Sequence, residues 1–403
     1  MPHPGGMDKA NELVARGADR HRAGRMAEAE SHYRRALRLD PNHPDALNLL
    51  GVALRARGVL AEALTHSARA VALAPEQPLM LANHGAALAE AGRLEEAVPM
   101  MRAALARAPA DAVTWRNLGQ ALAAQGNAAA ALEPLLTAAK LTPDDPEAWL
   151  ALAQAHAQAG EPVGARGAAQ AALTSGGRNR DAIDQARFML AALGEGEAPG
   201  RAPPGYVRKL FDQFAPRFDS ELEGRLNYRT PALMADALGA VLPPQGALSV
   251  LDLGCGTGLS GVALAPFARR LEGVDLSPRM LDAARARGIY AALHEADLLA
   301  FLPTRRAGYD VLAAADVLNY LGDLAPALAA MRTALRPSGV AIFSLEVGEV
   351  APYALGEGMR YRHAPDHARA LACAAGFAVL SDAEVVLREE HNAPVRGLLM
   401  LLR

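Results

Sequence analysis

The stretch "LDLGCGTG", Leu251 to Gly258, sets three glycines at alternate positions directly behind a short apolar run. A run of that length ending in glycine reads as a buried strand, and the glycines read as a turn that lets backbone approach a ligand. Downstream, "LSGVALAPFA" reads as a helix, "RLEGVDLS" as a second strand and "PRMLDAARARG" as its helix. "AALHEADL" and "YDVLAAADVL" read as further strands, and "LAPALAAMRTALRPSG" as a helix leading into the strand "VAIFSLE". Such alternation implies a mostly parallel, doubly wound α/β sheet with its site at the strand carboxyl ends.

Which ligand rests on the glycines depends on register. No lysine follows them, so a phosphate loop of the G-x-x-x-x-G-K type is absent. "GTGLSG" at 256–261 does fit G-x-G-x-x-G, with Asp275 about twenty residues on, as in a dinucleotide site. The turn, however, begins at Gly254 directly after the strand, and Asp252 sits two residues before it. A carboxylate there repels a pyrophosphate at the following helix N-terminus and suits a cationic ligand without phosphate.

"VLDLGCGTG" resembles the first motif of class I S-adenosylmethionine-dependent methyltransferases, and four further motifs follow in the family's order. The resemblance covers nearly all of 206–403 and implies a Rossmann-like, mostly parallel seven-stranded sheet. It also implies S-adenosylmethionine as cofactor. By it, Asp252, Gly254, Cys255, Gly256 and Gly258 form the loop under the methionine and ribose, with Cys255 as a small residue and not a nucleophile. "GVDLSPRML" implies Asp275 on the ribose hydroxyls, with Leu276 and Met280 beside the adenine. "HEADLLAF" implies Asp297 accepting from the adenine amino group and Leu298 offering its backbone. Asp316 and Tyr320 then lie below the cofactor, while Tyr206, Phe211 and Phe214 belong to an amphipathic lid at 206–231; Asp316, Tyr206 and Phe214 are expected cofactor contacts, with Phe211 and Phe214 closing over it. On the acceptor side, Arg360, Tyr361, His363 and Tyr320 are the candidate catalytic residues, with His363 the natural general base.

The first half repeats itself. Prolines recur at 41, 75, 109 and 143, glycines at 24, 58, 92, 126 and 160, and alanines at 29, 63, 97 and 131, always 34 residues apart. This resembles the tetratricopeptide repeat, a helix–turn–helix unit of that length whose apolar face only its neighbours can cover. Four good units span about 10–43, 44–77, 78–111 and 112–145; a decayed fifth spans about 146–179, and a helix near 180–193 would cap the array. Trp115 and Trp149 read as packing residues. Arrays of this family bind extended peptides in a groove lined by the first helices, and Asn83 and Asn117 hold equivalent places there. The repeats therefore imply a peptide or protein acceptor. The alternative is a small-metabolite methyltransferase that uses its repeats for assembly or docking. Taken together, the two halves are similar to a bacterial group of methyltransferases carrying N-terminal tetratricopeptide repeats.

The expected domains are a solenoid at 1–193, a Gly/Pro-rich linker at 194–205 and the methyltransferase domain at 206–403, which should fold alone. The net charge of −3 gives no footprint for nucleic acid or an anionic membrane. No signal-peptide or membrane-span pattern appears, so a cytoplasmic protein is expected. The two cysteines and the absence of ligand spacings leave no metal site in the expectation.

Overall fold

Regular 34-residue spacing becomes paired helices because each unit carries its own stop signal. The computed structural model describes residues 4–356, 358–390 and 393–403, which divide into two compact units, Met1–Ala186 and Arg187–Arg403. In the first lie α1 (Pro4–Arg22), α2 (Met26–Leu39), α3 (Pro44–Ala56), α4 (Leu60–Leu73) and α5 (Pro78–Glu90). There follow α6 (Leu94–Arg107), α7 (Ala112–Ala124), α8 (Ala128–Leu141), α9 (Pro146–Gln158) and α10 (Pro162–Thr174). The mid-unit glycines at 24, 58, 92, 126 and 160 all adopt left-handed φ, between +73° and +82°. That conformation ends a helix at little steric cost only in glycine. Ala29, Ala63, Ala97, Ala131 and Ala165 are fully buried, so the second helix of each unit packs closely on the first. Trp115 and Trp149 repeat one packing device, their indole N–H groups donating to the carbonyls of Pro109 and Pro143 at 2.8 and 3.0 Å.

The helix at 180–193 forms as α11 (Arg180–Ala192), and its second half belongs to the second unit. Phe188 on it is fully buried against Tyr206 and Tyr361, with ring centroids 5.5 and 6.1 Å away.

The linker reading of 194–205 gives way to a built element. Gly200 O accepts from the N–H groups of Gly322 and Asp323 at 2.9 Å each, and Ala202 N donates to Tyr320 O at 2.8 Å. Arg201 and Leu321 form an isolated antiparallel bridge, and Ala202 is buried. Glycine and proline exclude a long helix or strand from this stretch, but they do not stop short backbone pairing with a neighbouring loop. The expected boundary at 206 therefore moves back to Arg187, because the strap and Phe188 pack with the sheet unit.

The second unit continues with α12 (Pro204–Phe214), α13 (Phe218–Gly224) and α14 (Thr230–Gly239). Its strands are β1 (Leu248–Leu253), β2 (Ala268–Asp275), β3 (Ala292–Glu295), β4 (Tyr309–Ala314) and β5 (Leu335–Val347). Then come β6 (Tyr353–Leu355), β7 (Tyr361–His363), β8 (Val379–Glu390) and β9 (Ala393–Leu402). Between strands lie α15 (Leu259–Leu264), α16 (Pro278–Ala286), α17 (Leu298–Phe301), α18 (Ala325–Ala334) and α19 (Pro365–Ala374). Strands β3-β2-β1-β4-β5 are parallel neighbours in that order; β9 lies antiparallel on β5, and β8 on β9. Those are the seven strands expected. The sheet has nine among the described residues, because the insertion after β5 forms the short pair β6–β7 and sets β7 beside Glu346 and Val347. Three-residue strands are too short to show periodicity. The inner strands are buried on both faces (Val250, Leu251, Val311, Leu312, Val340 and Ile342 are at 0%), which is why they read as unbroken apolar runs.

Candidate active site

One cavity, with about 1150 Å³ of empty space open to solvent, lies across the carboxyl ends of β1 to β4. Its sheet-side wall begins in the glycine turn. Gly254 adopts φ +59°, and a Cβ there would lie 2.4 Å from Val317 Cγ2, so only glycine fits. Gly256 adopts φ +52°, and its N–H donates to Asp275 Oδ2 at 2.9 Å. Asp275 Oδ1 accepts from Ser277 N at 2.8 Å, which fixes the carboxylate at the end of β2. Burial raises its pKa, while backbone N–H groups oppose that shift. Leu276, Asp297 and Leu298 continue the same wall past β3. Asp297 Oδ1 caps the next turn, accepting from Leu299 N at 2.9 Å, and Oδ2 is held by the Arg201 guanidinium.

Several expected loop residues stand behind this wall. Asp252 is fully buried and accepts from Ser260 Oγ at 2.8 Å and Tyr290 OH at 2.7 Å. Burial pushes its carboxyl up to about 7 against those two hydrogen bonds. It ties the glycine turn to α15 instead of facing the cavity. Cys255 is buried and its thiol pKa is driven up by desolvation, as suits a small packing residue. Gly258 is the left-handed residue before α15, beside Arg287 and Tyr290. Met280 is fully buried in the first turn of α16. Neither of these two lines the cavity.

The opposite wall is the amphipathic lid. Val207, Phe211 and Phe214 line the cavity at i, i+4, i+7 along α12, and Phe218 follows from α13. Phe218 meets Phe211 and Phe214 edge-on, with centroids 6.2 and 5.4 Å away. Tyr206 falls on the other face of α12, with Leu210, in the cluster around Phe188 and Tyr361. Polar contacts fasten the lid: Ser277 Oγ donates to Asp212 at 2.6 Å, and Arg208 lies 3.3 Å from Glu295.

Beyond β4 the cavity becomes polar. Asp316 takes φ +55°, a strained value outside glycine. It accepts from Ser344 Oγ at 2.8 Å and Thr230 Oγ1 at 3.1 Å. Asn319, Tyr320, Tyr228 and Arg360 stand beside it, with Arg388 and Glu390 from the end of β8. Arg388 is buried among Glu346, Glu390 and Asp316, the last at 3.4 Å. Arg360 bonds Glu346 and Glu390 at 2.7 Å each. Burial pushes the Tyr320 hydroxyl up to about 12.

Two expected acceptor-side residues are absent from this wall. His363 is buried, with Nε2 3.2 Å from Gly322 O, and burial holds its pKa down to about 4. Tyr361 is fully buried and donates its hydroxyl to Pro199 O. Both sit on β7, where the strand turns them into the protein, so His363 as general base is withdrawn along with Tyr361. Arg201, Tyr228, Asn319, Arg388 and Glu390 were not anticipated. The only trace of the last two is the charged run "REE" closing an otherwise ordinary strand.

In the first unit, Asn83 on α5 is half-buried and its Nδ2 donates to Asn48 Oδ1 on α3 at 3.0 Å. Asn117 on α7 is likewise half-buried. No helix among the described residues is long and apolar enough to cross a membrane, and no acidic, histidine or cysteine cluster there could hold a metal.

Residues 250–339 match the family description "Methyltransferase domain", and 14–78, 88–154 and 128–182 match "Tetratricopeptide repeat". Methyltransferase-like protein 27 of Homo sapiens is 44% identical over 95 residues, 22% of this chain and 38% of that protein. Ribosomal protein L11 methyltransferase of Thiobacillus denitrificans is 42% identical over 88 residues, 21% of this chain and 29% of that protein. The chain thus spans well under half the length of these curated relatives. A crystal structure of an S-adenosylmethionine-dependent methyltransferase from Mesorhizobium loti is 26% identical, covers 42% of this chain and 96% of its own, and gives a TM-score of 0.35.

Proposed function

We propose that this chain, which joins tetratricopeptide repeats to a methyltransferase domain with S-adenosylmethionine as its cofactor, transfers a methyl group to a peptide or protein acceptor recruited by the repeats. The observation that carries the reading is the alignment of Gly254, Gly256, Asp275, Leu276, Asp297 and Leu298 along one wall of one cavity. Glycine at Gly256 leaves a cradle: a Cβ there would have Phe218, at 3.7 Å, as its nearest neighbour across the cavity. The wall offers two fixed carboxylates and backbone donors to a ribose and an amino-bearing base, and its guanidinium, Arg201, is paired with Asp297. The cofactor, when bound, supplies a methyl group on a sulfonium. The protein's part is to orient the two reactants and exclude water, which can lower a barrier by several kcal/mol.

In this reading Asp275 holds the ribose, Asp297 the adenine amino group, and Phe211, Phe214 and Phe218 cover the cofactor. Asp316, Tyr320, Asn319 and Arg360 form the acceptor end. Asp316 takes the place of His363 as the group able to accept a proton. The repeats support a peptide acceptor because their unit is a groove-forming one, and Asn83 and Asn117 are the residues proposed to hold it. The test is methyl-label transfer to lysate from cells lacking the protein, separated into macromolecular and small-molecule fractions. Label should enter the macromolecular fraction, and the Asn83→Ala, Asn117→Ala chain should need more acceptor for the same rate at unchanged cofactor affinity. Label confined to small molecules would replace this reading with the metabolite one.

A further inference from the structure

We infer that Arg201, in the strap at 199–202, is a positioning residue that makes the site selective for adenine; this rests on the cofactor role proposed for Asp297. The strap lies outside the matched methyltransferase domain, which begins at residue 250. Yet Arg201 and Ala202 line the cavity. Three backbone hydrogen bonds to residues 320–323 hold the strap in place, so the guanidinium is delivered from a fixed backbone.

The Asp297 carboxylate is bound on both oxygens. Oδ1 accepts from Leu299 N at 2.9 Å and Ala300 N at 3.3 Å. Arg201 Nη2 donates to Oδ2, and Nη1 lies 3.5 Å from Oδ1. Backbone N–H groups alone leave Oδ2 free to swing and to be hydrated. A guanidinium fork fixes the carboxylate plane. That matters to an acceptor that must meet the amino group of adenine and refuse a base carrying an oxygen there. Carboxylate oxygen facing carbonyl oxygen is a repulsion that only an acceptor held in place enforces. Arg201 Nε is buried in the cavity wall with no protein partner among the described residues, so the side chain is not committed entirely to an ion pair. Its side chain is 34% exposed, and a substitution there need not disturb the core.

The experiment measures the affinity of the full-length chain for S-adenosylhomocysteine and for its hypoxanthine counterpart, by calorimetry. Wild type should prefer adenine. Arg201→Met should shrink that preference about tenfold or more, the scale of a lost hydrogen bond to a charged group, with the loss falling on the adenine ligand. Arg201→Lys keeps the charge without the fork and should lose a smaller part; it decides by the same criterion if the methionine variant fails to fold. An unchanged preference, or equal weakening for both bases, overturns the inference, since a merely structural residue would act on both alike. Asp297→Ala separates the premises. If it loses the preference while the Arg201 variants keep it, the cofactor reading stands and the inference falls. If Asp297→Ala keeps the preference, both fall.

Discussion

Sequence motifs put Asp252 and His363 among the working residues, but the structure turns both inward, with opposite consequences for stability. Asp252 has its pKa raised by burial from the usual 3.8 to about 7. Between those values the folded protein keeps a proton that the unfolded chain has released, so Asp252 makes stability fall as pH rises from about 4 to 7. His363 has its pKa lowered by burial from 6.5 to about 4. Over that window the unfolded chain holds the extra proton, so His363 makes stability rise with pH. The two slopes oppose one another. Denaturant midpoints followed from pH 4 to 7 should show Asp252→Asn losing stability on acidification more steeply than wild type, and His363→Gln the reverse. Identical profiles would remove both assignments. What the sequence made legible here was placement: the glycine turn and the acids at Asp275, Asp297 and Asp316 stand at or just past the carboxyl ends of strands. Side-chain direction was not legible: Asp252 lies on a strand buried on both faces, and His363 on a three-residue strand too short to show alternation.

At the scale of elements, the lid, the strap and the β8 end build most of what the parallel strands leave open. The amphipathic pattern at 206–231 was readable because α12 and α13 keep helical spacing, although it put Tyr206 on the wrong face. The strap was hidden by composition, and the Arg388–Glu390 contribution arises from antiparallel register between distant segments, which no local pattern encodes. Arg388 and Arg360 sit with Glu346, Glu390 and Asp316 in a network where removing one partner strands the others. The strap and Phe188 also set the length of the folding unit. A fragment beginning at 187 should fold cooperatively. One beginning at 206 loses the fully buried Phe188 and the Pro199 carbonyl that receives Tyr361. It should be less stable by about 3–5 kcal/mol, the cost of removing a large buried aromatic. Equal urea midpoints for the two fragments would return the boundary to 206.

For the whole molecule, the repeat spacing and the strand–helix alternation each identified a unit correctly because both are long, periodic signals carried by many positions. Acceptor chemistry is set instead by a few side chains from separate segments that share no common sequence pattern. The claim on which the rest depends is that the cavity over β1 to β4 takes S-adenosylmethionine and not a dinucleotide. Titration calorimetry of the full chain tests it directly, with S-adenosylmethionine, S-adenosylhomocysteine and NAD as ligands and Asp275→Ala as the control. The first two should bind at micromolar strength and NAD not at all, with the variant losing about 1.5–3 kcal/mol, the worth of a hydrogen bond to a charged group. Binding of NAD without binding of S-adenosylmethionine would contradict it.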